Sequence, residues 1–234
     1  KWADLDDKKS ENIINDSIEK VMEQYENDAL NDIARSAFIK KQVKDTSTET
    51  VNALVKHIRS GNFLPREYEL RIAHGRVDRV DTFEDGNNIY VKVIDYKSGN
   101  KVFNVTETFL GLQMQLMVYL KDTVDYIKKN NPDKNVYPAA GLYFHVYDPY
   151  VSEIDCEKAV SDFRKKNPDS ELSDEELKKM AIEGERFKAY RMSGLVAKEI
   201  EIVNAMDHNT ITKTGSSAIL PVNITKSGVD ARST

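Results

Sequence analysis

Residues 91–94 form a short apolar strand pattern that ends in Asp95, Tyr96 and Lys97. Side chains alternate between the two faces of a strand, so Asp95 and Lys97 are predicted on the same face at its carboxyl end. The sequence Ser-Gly-Asn at residues 98–100 then breaks the strand. This pattern places a carboxylate and an ammonium side by side at the edge of a sheet. Such a pair can hold a hard divalent cation and offset negative charge on a phosphate.

Two further patterns flank this strand. Residues 75–81 (Gly-Arg-Val-Asp-Arg-Val-Asp) predict a preceding strand, and the turn pair Asp85-Gly86 predicts a hairpin between the two strands. Residues 109–120 are apolar on nearly every side, which predicts a helix packed on a sheet. Gln115 and Tyr119 are four residues apart and would share a face of that helix. The acid-x-lysine pattern also occurs at residues 6–8 and 176–178, so the three patterns in fixed order are far more specific than any one alone.

These three patterns resemble the motifs of the RecB-like branch of the PD-(D/E)XK nucleases. Within that branch, the sequence is most similar to the nuclease domain of AddB-type subunits of helicase–nuclease complexes, and residues 61–149 carry the resemblance best. The resemblance implies an α/β, restriction-endonuclease-like fold with a central mixed sheet, flanking helices and an added helical segment. It also implies metal-dependent hydrolysis of DNA.

The resemblance further implies the metal ligands. They would be Asp78 in the first motif, Asp95 in the second and the backbone carbonyl of Tyr96. The expected cation is Mg²⁺, for which Mn²⁺ could substitute.

The remaining motif residues are expected to be catalytic. Lys97 would position or activate the attacking water, while Gln115 and Tyr119 would orient Lys97 or contact the DNA backbone. The partners implied by the resemblance are DNA, an AddA-type helicase–nuclease subunit and the remainder of a longer chain. The implied process is DNA end processing in double-strand break repair.

Composition limits the class of protein. The chain has 234 residues, 40% of them hydrophobic, which is enough for one substantial core or two small ones. No apolar run approaches the roughly 20 residues that span a bilayer. The single cysteine, Cys156, excludes an internal disulfide, which suits the cytoplasm. The net charge is -5, from 34 basic and 39 acidic residues, so DNA contacts are expected from a local patch or a larger assembly.

We expect one nuclease domain fragment over residues 1–234. Its parts are a helical segment at 1–60, the catalytic core at 61–149, a helical segment at 150–209, and a final strand and loop at 210–234.

The resemblance also implies an iron–sulfur cluster, which is usually bound by four thiolates, and a histidine metal ligand from an upstream helix. The chain has Cys156 alone and no histidine before His57. We therefore expect the cluster in the full-length family protein and not in this fragment. The metal site should be weakened, so that DNA cleavage is feeble or needs high Mg²⁺ or Mn²⁺.

Two alternatives stay open from the sequence: a structural or DNA-guiding module that keeps the fold without the chemistry, and a free-standing exonuclease of the same superfamily. Glu69, in the strand before the first motif, is a candidate for a site role. Arg76 and Arg79 are interpreted as solvated strand residues and Asp81 as a turn or surface residue. His145 is given no role.

Overall fold

Two long helices, α1 (Asp7–Tyr25) and α2 (Ile33–Arg59), open the fold. The computed structural model describes residues 6–25, 33–99, 102–211 and 214–231. The Asp6 carboxylate accepts the Lys9 amide N–H at 2.7 Å and so caps α1. The two helices pack against each other, and the last turns of α2 bury apolar side chains against the central sheet. None of the helices in these ranges has the length and apolar character needed to cross a membrane.

The central sheet has five strands in the order β1 (Leu64–Ile72), β2 (Gly75–Asp85), β3 (Asn88–Lys97), β4 (Asn135–His145) and β5 (Ser193–Val196). The predicted hairpin is confirmed, since β2 and β3 are antiparallel and join at the Asp85–Asn88 pair. Strand β4 runs parallel to β3, and β5 is an antiparallel edge strand. The mixed sheet of the predicted fold class is therefore confirmed.

The connection between the parallel strands β3 and β4 contains two helices, α3 (Val105–Phe109) and α4 (Gln115–Asn130). The single helix predicted from residue 109 is wrong at its start. Asn104 caps α3 by accepting the Glu107 amide, and Gly111 adopts φ 80° in the turn that separates the two helices. Phe109, which was expected to pack on the sheet, is 89% exposed.

The two faces of the sheet bury different partners. Helix α4 covers one face, where Val91 and Val93 of β3 pack with Val124 and Ile127. The other face packs against the end of α2, helix α7 (Ile200–Met206) and the last strands of the chain. Because alternate residues of β3 point to opposite faces, its odd-numbered residues lie under α4 and its even-numbered residues lie under α2 and α7.

The segment after β4 contains α5 (Glu153–Lys166) and α6 (Asp174–Ala189), which pack against each other. Helix α6 begins with a capping box, in which Ser173 and Glu176 each accept from the other's backbone N–H. The helical segment expected at residues 150–209 also supplies β5, which completes the central sheet.

The end of the chain was expected to be one strand and a loop. Residues 214–231, the part of this end that the structure describes, instead hold three short strands that form a second sheet, β6 (Gly215–Ser216), β7 (Val222–Thr225) and β8 (Gly228–Ala231).

Candidate active site

The carboxyl end of β3 brings together the two residues of the acid-x-lysine pattern. Asp95 is 3% exposed, and its Oδ2 lies 2.5 Å from the Lys97 Nζ. Both side chains lie on the face that α4 covers, as the strand alternation predicts. The Lys97 side chain is 22% exposed, so the ion pair lies at the boundary between core and solvent.

Helix α4 adds two residues to this ion pair. The Gln115 Oε1 accepts a hydrogen bond from the Lys97 Nζ at 3.1 Å. The Gln115 Nε2 in turn donates to the Tyr119 hydroxyl at 3.0 Å, because residues four apart in a helix are neighbours. The acid, the lysine, the amide and the phenol therefore form one continuous series of contacts.

Asp78 joins the same place from β2. The last paired residues of β2 and β3 are Arg79 and Ile94, so the next position brings Asp78 opposite Asp95. The Asp78 Oδ2 accepts the backbone N–H of Tyr96 at 2.7 Å. In a strand, the N–H and C=O of one residue point the same way, so the Tyr96 carbonyl also faces β2.

Gly75 shows why the first motif begins with glycine. Its φ is 149°, and a Cβ at this position would lie 2.9 Å from the Cε1 and hydroxyl oxygen of Tyr119. A larger residue would therefore displace the tyrosine that contacts Gln115. The glycine of the first motif and the tyrosine of the third are parts of one packed contact.

Comparison with known proteins agrees with this geometry. The sequence profile described as the PD-(D/E)XK nuclease superfamily matches residues 3–207. The chain belongs to the PD-(D/E)XK nuclease superfamily.

The chain is also similar to proteins named as the B subunits of ATP-dependent helicase/deoxyribonucleases. One from Clostridioides difficile (strain 630) is 31% identical over 254 residues, and one from Thermoanaerobacter sp. (strain X514) is 29% identical over 253 residues. Both alignments cover 100% of this chain and 20% of the relative. The chain thus spans about a fifth of the length of the curated relatives it matches.

The oxygen ligands of this PD-(D/E)XK site fit Mg²⁺. In the part of the chain that the structure describes, no three His, Cys, Asp or Glu side chains converge to hold a metal. Mg²⁺ does not need such a set, because it is usually held by one or two carboxylates together with waters and substrate phosphates. Asp78, Asp95 and the Tyr96 carbonyl are hard oxygen groups that could hold such a cation.

The sequence reasoning missed Tyr143, which lies beside Asp95 on β4. Its side chain is fully buried, and the Lys97 Nζ lies over its ring at 5.2 Å from the centroid. Burial, followed by the negative charge of Asp95 and the electrostatic influence of Tyr119, raises the pKa of Tyr143 above its ordinary value. A tyrosine in an apolar strand gives no sequence signal for this position, because only the register of the parallel strands reveals it.

A cavity of about 340 Å³ opens beside Lys97 at the carboxyl ends of β3 and β4. Substrates of open α/β sheets bind at such strand ends. The cavity is lined by Lys97, Ser98, Gly99, Val102, His145, Val146 and Tyr147. His145, which was given no role, contacts the Gly99 carbonyl through Nδ1 at 2.9 Å.

Two predictions are wrong for residues on the opposite face of the same strands. Arg79 and Asp81 were interpreted as solvated or turn residues, but they are 1% and 0% exposed. The Arg79 guanidinium donates to both Asp81 oxygens at 2.6 Å, and the Lys92 Nζ lies 3.0 Å from the Asp81 Oδ2. Burial alone would raise the pKa of Asp81, but the charges of Lys92 and Arg79 hold it below its ordinary value.

Two further residues lie apart from the site contacts. Glu69 pairs with Arg76 at 2.7 Å, and both side chains are mostly exposed. His57 lies on the far face of the sheet, edge-on to the rings of Phe144 and Phe187. It therefore does not supply the histidine ligand that this branch often takes from an upstream helix.

Proposed function

We propose that this chain is a Mg²⁺-dependent deoxyribonuclease that hydrolyses phosphodiester bonds of DNA, as the nuclease part of a helicase–nuclease subunit. The observation that carries the proposal is the continuous series of contacts from Asp95 through Lys97 and Gln115 to Tyr119, with Asp78 beside it. A fold kept only as a scaffold has no need to retain this order of acid, lysine, amide and phenol at one strand end.

Asp78, Asp95 and the Tyr96 carbonyl would hold the cation. When bound, Mg²⁺ supplies Lewis-acid stabilisation of the charge on the scissile phosphate. Both carboxylates are also acceptors, so they favour a hydrated cation over an unaccompanied phosphate, which they would repel.

Lys97 would act on the water and the phosphate. Its ammonium is held on one side by the Asp95 carboxylate and on another by the Gln115 amide, and it lines the open cavity. A donor fixed in this way can orient the attacking water and offset charge that develops on a phosphate oxygen, at little cost of reorganisation. Gln115 positions the lysine. Because an ammonium can only donate, it selects the amide oxygen of Gln115, and the amide nitrogen then donates to the Tyr119 hydroxyl.

The relatives that cover this chain are named as parts of an ATP-dependent helicase/deoxyribonuclease. We propose by analogy that the chain works with an AddA-type partner and the remainder of a longer chain. The corresponding process would be exonucleolytic processing of DNA ends in double-strand break repair and recombination, in the cytoplasm.

The test is the Asp95→Ala variant, assayed on end-labelled DNA with Mg²⁺ and with Mn²⁺. We expect loss of cleavage and loss of cation binding by calorimetry, because one of two ligand carboxylates is removed. Asp125→Ala is the matched control, since Asp125 is an exposed acid on α4 that pairs with Lys121. Unchanged cleavage in Asp95→Ala would refute the proposal. A chain that neither binds the cation nor cuts DNA, even at high Mg²⁺ or Mn²⁺, would favour the structural or DNA-guiding module.

A further inference from the structure

The Lys97 ammonium has a third neighbour besides Asp95 and Gln115. In the parallel pairing of β3 and β4, Lys97 lies opposite His145, and Tyr143 lies opposite Asp95. The ammonium nevertheless lies over the Tyr143 ring, with Nζ 5.2 Å from the centroid. The lysine side chain thus leans back along the strand, away from its direct partner and toward the ring beside Asp95.

The Tyr143 ring is itself held firmly. It is fully buried and packs in a small cluster with Phe103 and Leu116, the residue that follows Gln115 in α4. The Phe103 and Tyr143 ring centroids are 6.5 Å apart. The ring cannot turn away from Lys97 without disturbing the helix that carries Gln115.

A cation over an aromatic face is attracted by the negative face of the ring, and the attraction is larger where water is excluded. A lysine has four rotatable side-chain bonds, so two polar contacts alone leave it considerable freedom. The ring closes a third side of the ammonium. A phenol is ordinarily neutral near neutral pH, so the ring acts as a surface and not as a second anion.

We propose that Tyr143 is a positioning residue for the catalytic lysine, and that its buried ring holds the Lys97 ammonium against Asp95 and Gln115. The inference rests on the proposed function of this site. It assigns Tyr143 no direct contact with DNA or with the cation.

The sharpest test keeps the shape of the ring and changes only its charge distribution. Phenylalanine with zero, one, two or three fluorine atoms is placed at position 143, because each fluorine weakens the negative face of the ring. We expect kcat for DNA cleavage to fall stepwise, by about tenfold over the series, with KM unchanged. A flat series would overturn the proposal.

The chain supplies a matched control in Phe63. The Lys92 Nζ lies 5.2 Å from the Phe63 ring centroid, in the buried ion cluster on the opposite face. The same fluorinated series at Phe63 should lower the melting temperature and leave kcat unchanged. A kcat response at both positions would show a general effect of fluorination and would count against the proposal.

A second measurement does not depend on activity. The Tyr143 ring current should shift the ε-methylene proton signals of Lys97 upfield in the NMR spectrum. Tyr143→Phe should keep this shift and most of the activity, whereas Tyr143→Leu should lose both. An unshifted Lys97 signal in the unmodified chain would overturn the proposal, even if Tyr143→Leu fails to fold.

The reference variant Asp95→Ala separates the two failures. If Asp95→Ala cleaves DNA normally, the proposed function is wrong and Tyr143 has no lysine chemistry to support. If Asp95→Ala is inactive while the fluorinated series is flat, the nuclease assignment holds and only the role of Tyr143 is wrong.

Discussion

Strand β3 carries two lysines that share the same kinds of contact and differ in their surroundings. Lys97 contacts Asp95 at 2.5 Å, and Lys92 contacts Asp81 at 3.0 Å. Each ammonium lies 5.2 Å from the centroid of an aromatic ring. The Lys97 side chain, however, is 22% exposed, and the Lys92 side chain is 6% exposed.

The difference lies in what else surrounds each acid. Asp81 is shared by Lys92 and Arg79 in the middle of paired strands, so its oxygens are satisfied by protein cations. Asp95 lies where the β2–β3 ladder ends, next to a second acid, Asp78. An acid–lysine pair is therefore a candidate for chemistry at a strand end, where a second acid lies beside it. In the middle of a strand, beside a second cation, the same kind of pair is a structural element.

The largest effect on stability is expected from Asp81→Asn. This change leaves Arg79 and Lys92 buried without a counter-charge, so the free energy of unfolding should fall by about 3–5 kcal/mol. Urea unfolding followed by circular dichroism measures the change. Asp95→Asn is the control and should cost clearly less, because the Lys97 partner it leaves can reach solvent. If the free energy of unfolding falls by less than ~1 kcal/mol in Asp81→Asn, the buried cluster of Arg79, Asp81 and Lys92 does not stabilise the fold as proposed.

The two lysines should separate activity from stability. Lys97→Met should lower kcat by about a thousandfold, the size seen when one pre-organised donor is removed. Lys92→Met should keep cleavage and change the free energy of unfolding by less than ~1 kcal/mol, because Arg79 still neutralises Asp81. Cleavage kinetics and thermal melting of both variants check this. An equal loss of kcat in both variants would contradict the distinction between a catalytic Lys97 and a structural Lys92.

The buried side chain of His57 should make stability depend on pH, because it lies near the positive charges of Lys92 and Arg79. Burial, followed by the charges of Lys92 and Arg79, lowers the pKa of His57 from 6.5 to about 3. Neither ring nitrogen has a hydrogen-bond partner among the described residues. The folded state therefore binds fewer protons than the unfolded state between these two pH values, and stability should fall as pH drops below about 6.5, by up to ~1.4 kcal/mol per pH unit.

Urea unfolding at pH 7, 6, 5 and 4 tests this slope. His57→Leu should have a shallower pH dependence than the unmodified chain over that interval, because it removes the group that takes up a proton on unfolding. An identical slope in both proteins would mean that His57 is not the acid-sensitive group.

The smallest effect on stability is expected at Glu69. The pairing of its neighbours in β1 with β2 places Glu69 opposite Asp78. Its φ of 51° is strained for a residue with a Cβ, and its carboxylate pairs with Arg76. Glu69→Gly should raise the free energy of unfolding by up to ~1 kcal/mol, since strain is relieved at some entropic cost. DNA cleavage should stay unchanged; a loss of cleavage would place a third acid in the site.

The sequence predicts the β2–β3 hairpin and the side-chain pairings within the motifs well because both depend on local periodicity. The alternation in β3 correctly places Asp95 and Lys97 on one face, and the four-residue spacing correctly pairs Gln115 with Tyr119. The sequence alone could not reveal that Tyr143 contacts Lys97, or that Lys92 and Arg79 contact Asp81. These contacts depend on the strand register and on which face of the sheet is covered. The start of α4 was also missed, since an apolar run gives no indication that its first residues form an exposed turn.

The parallel pairing of β3 and β4 has a consequence for how the chain folds. The hairpin that carries Asp78 and Asp95 is local in sequence, so it can form early. Lys97 meets Tyr143 only after the whole connection through α4 has folded back on the sheet, because parallel strands require such a crossover. Gln115, Tyr119 and the Tyr143 ring thus join Lys97 only in the slow, long-range step of folding, and a partly folded chain can hold both acids and the lysine before it holds the residues that position the lysine.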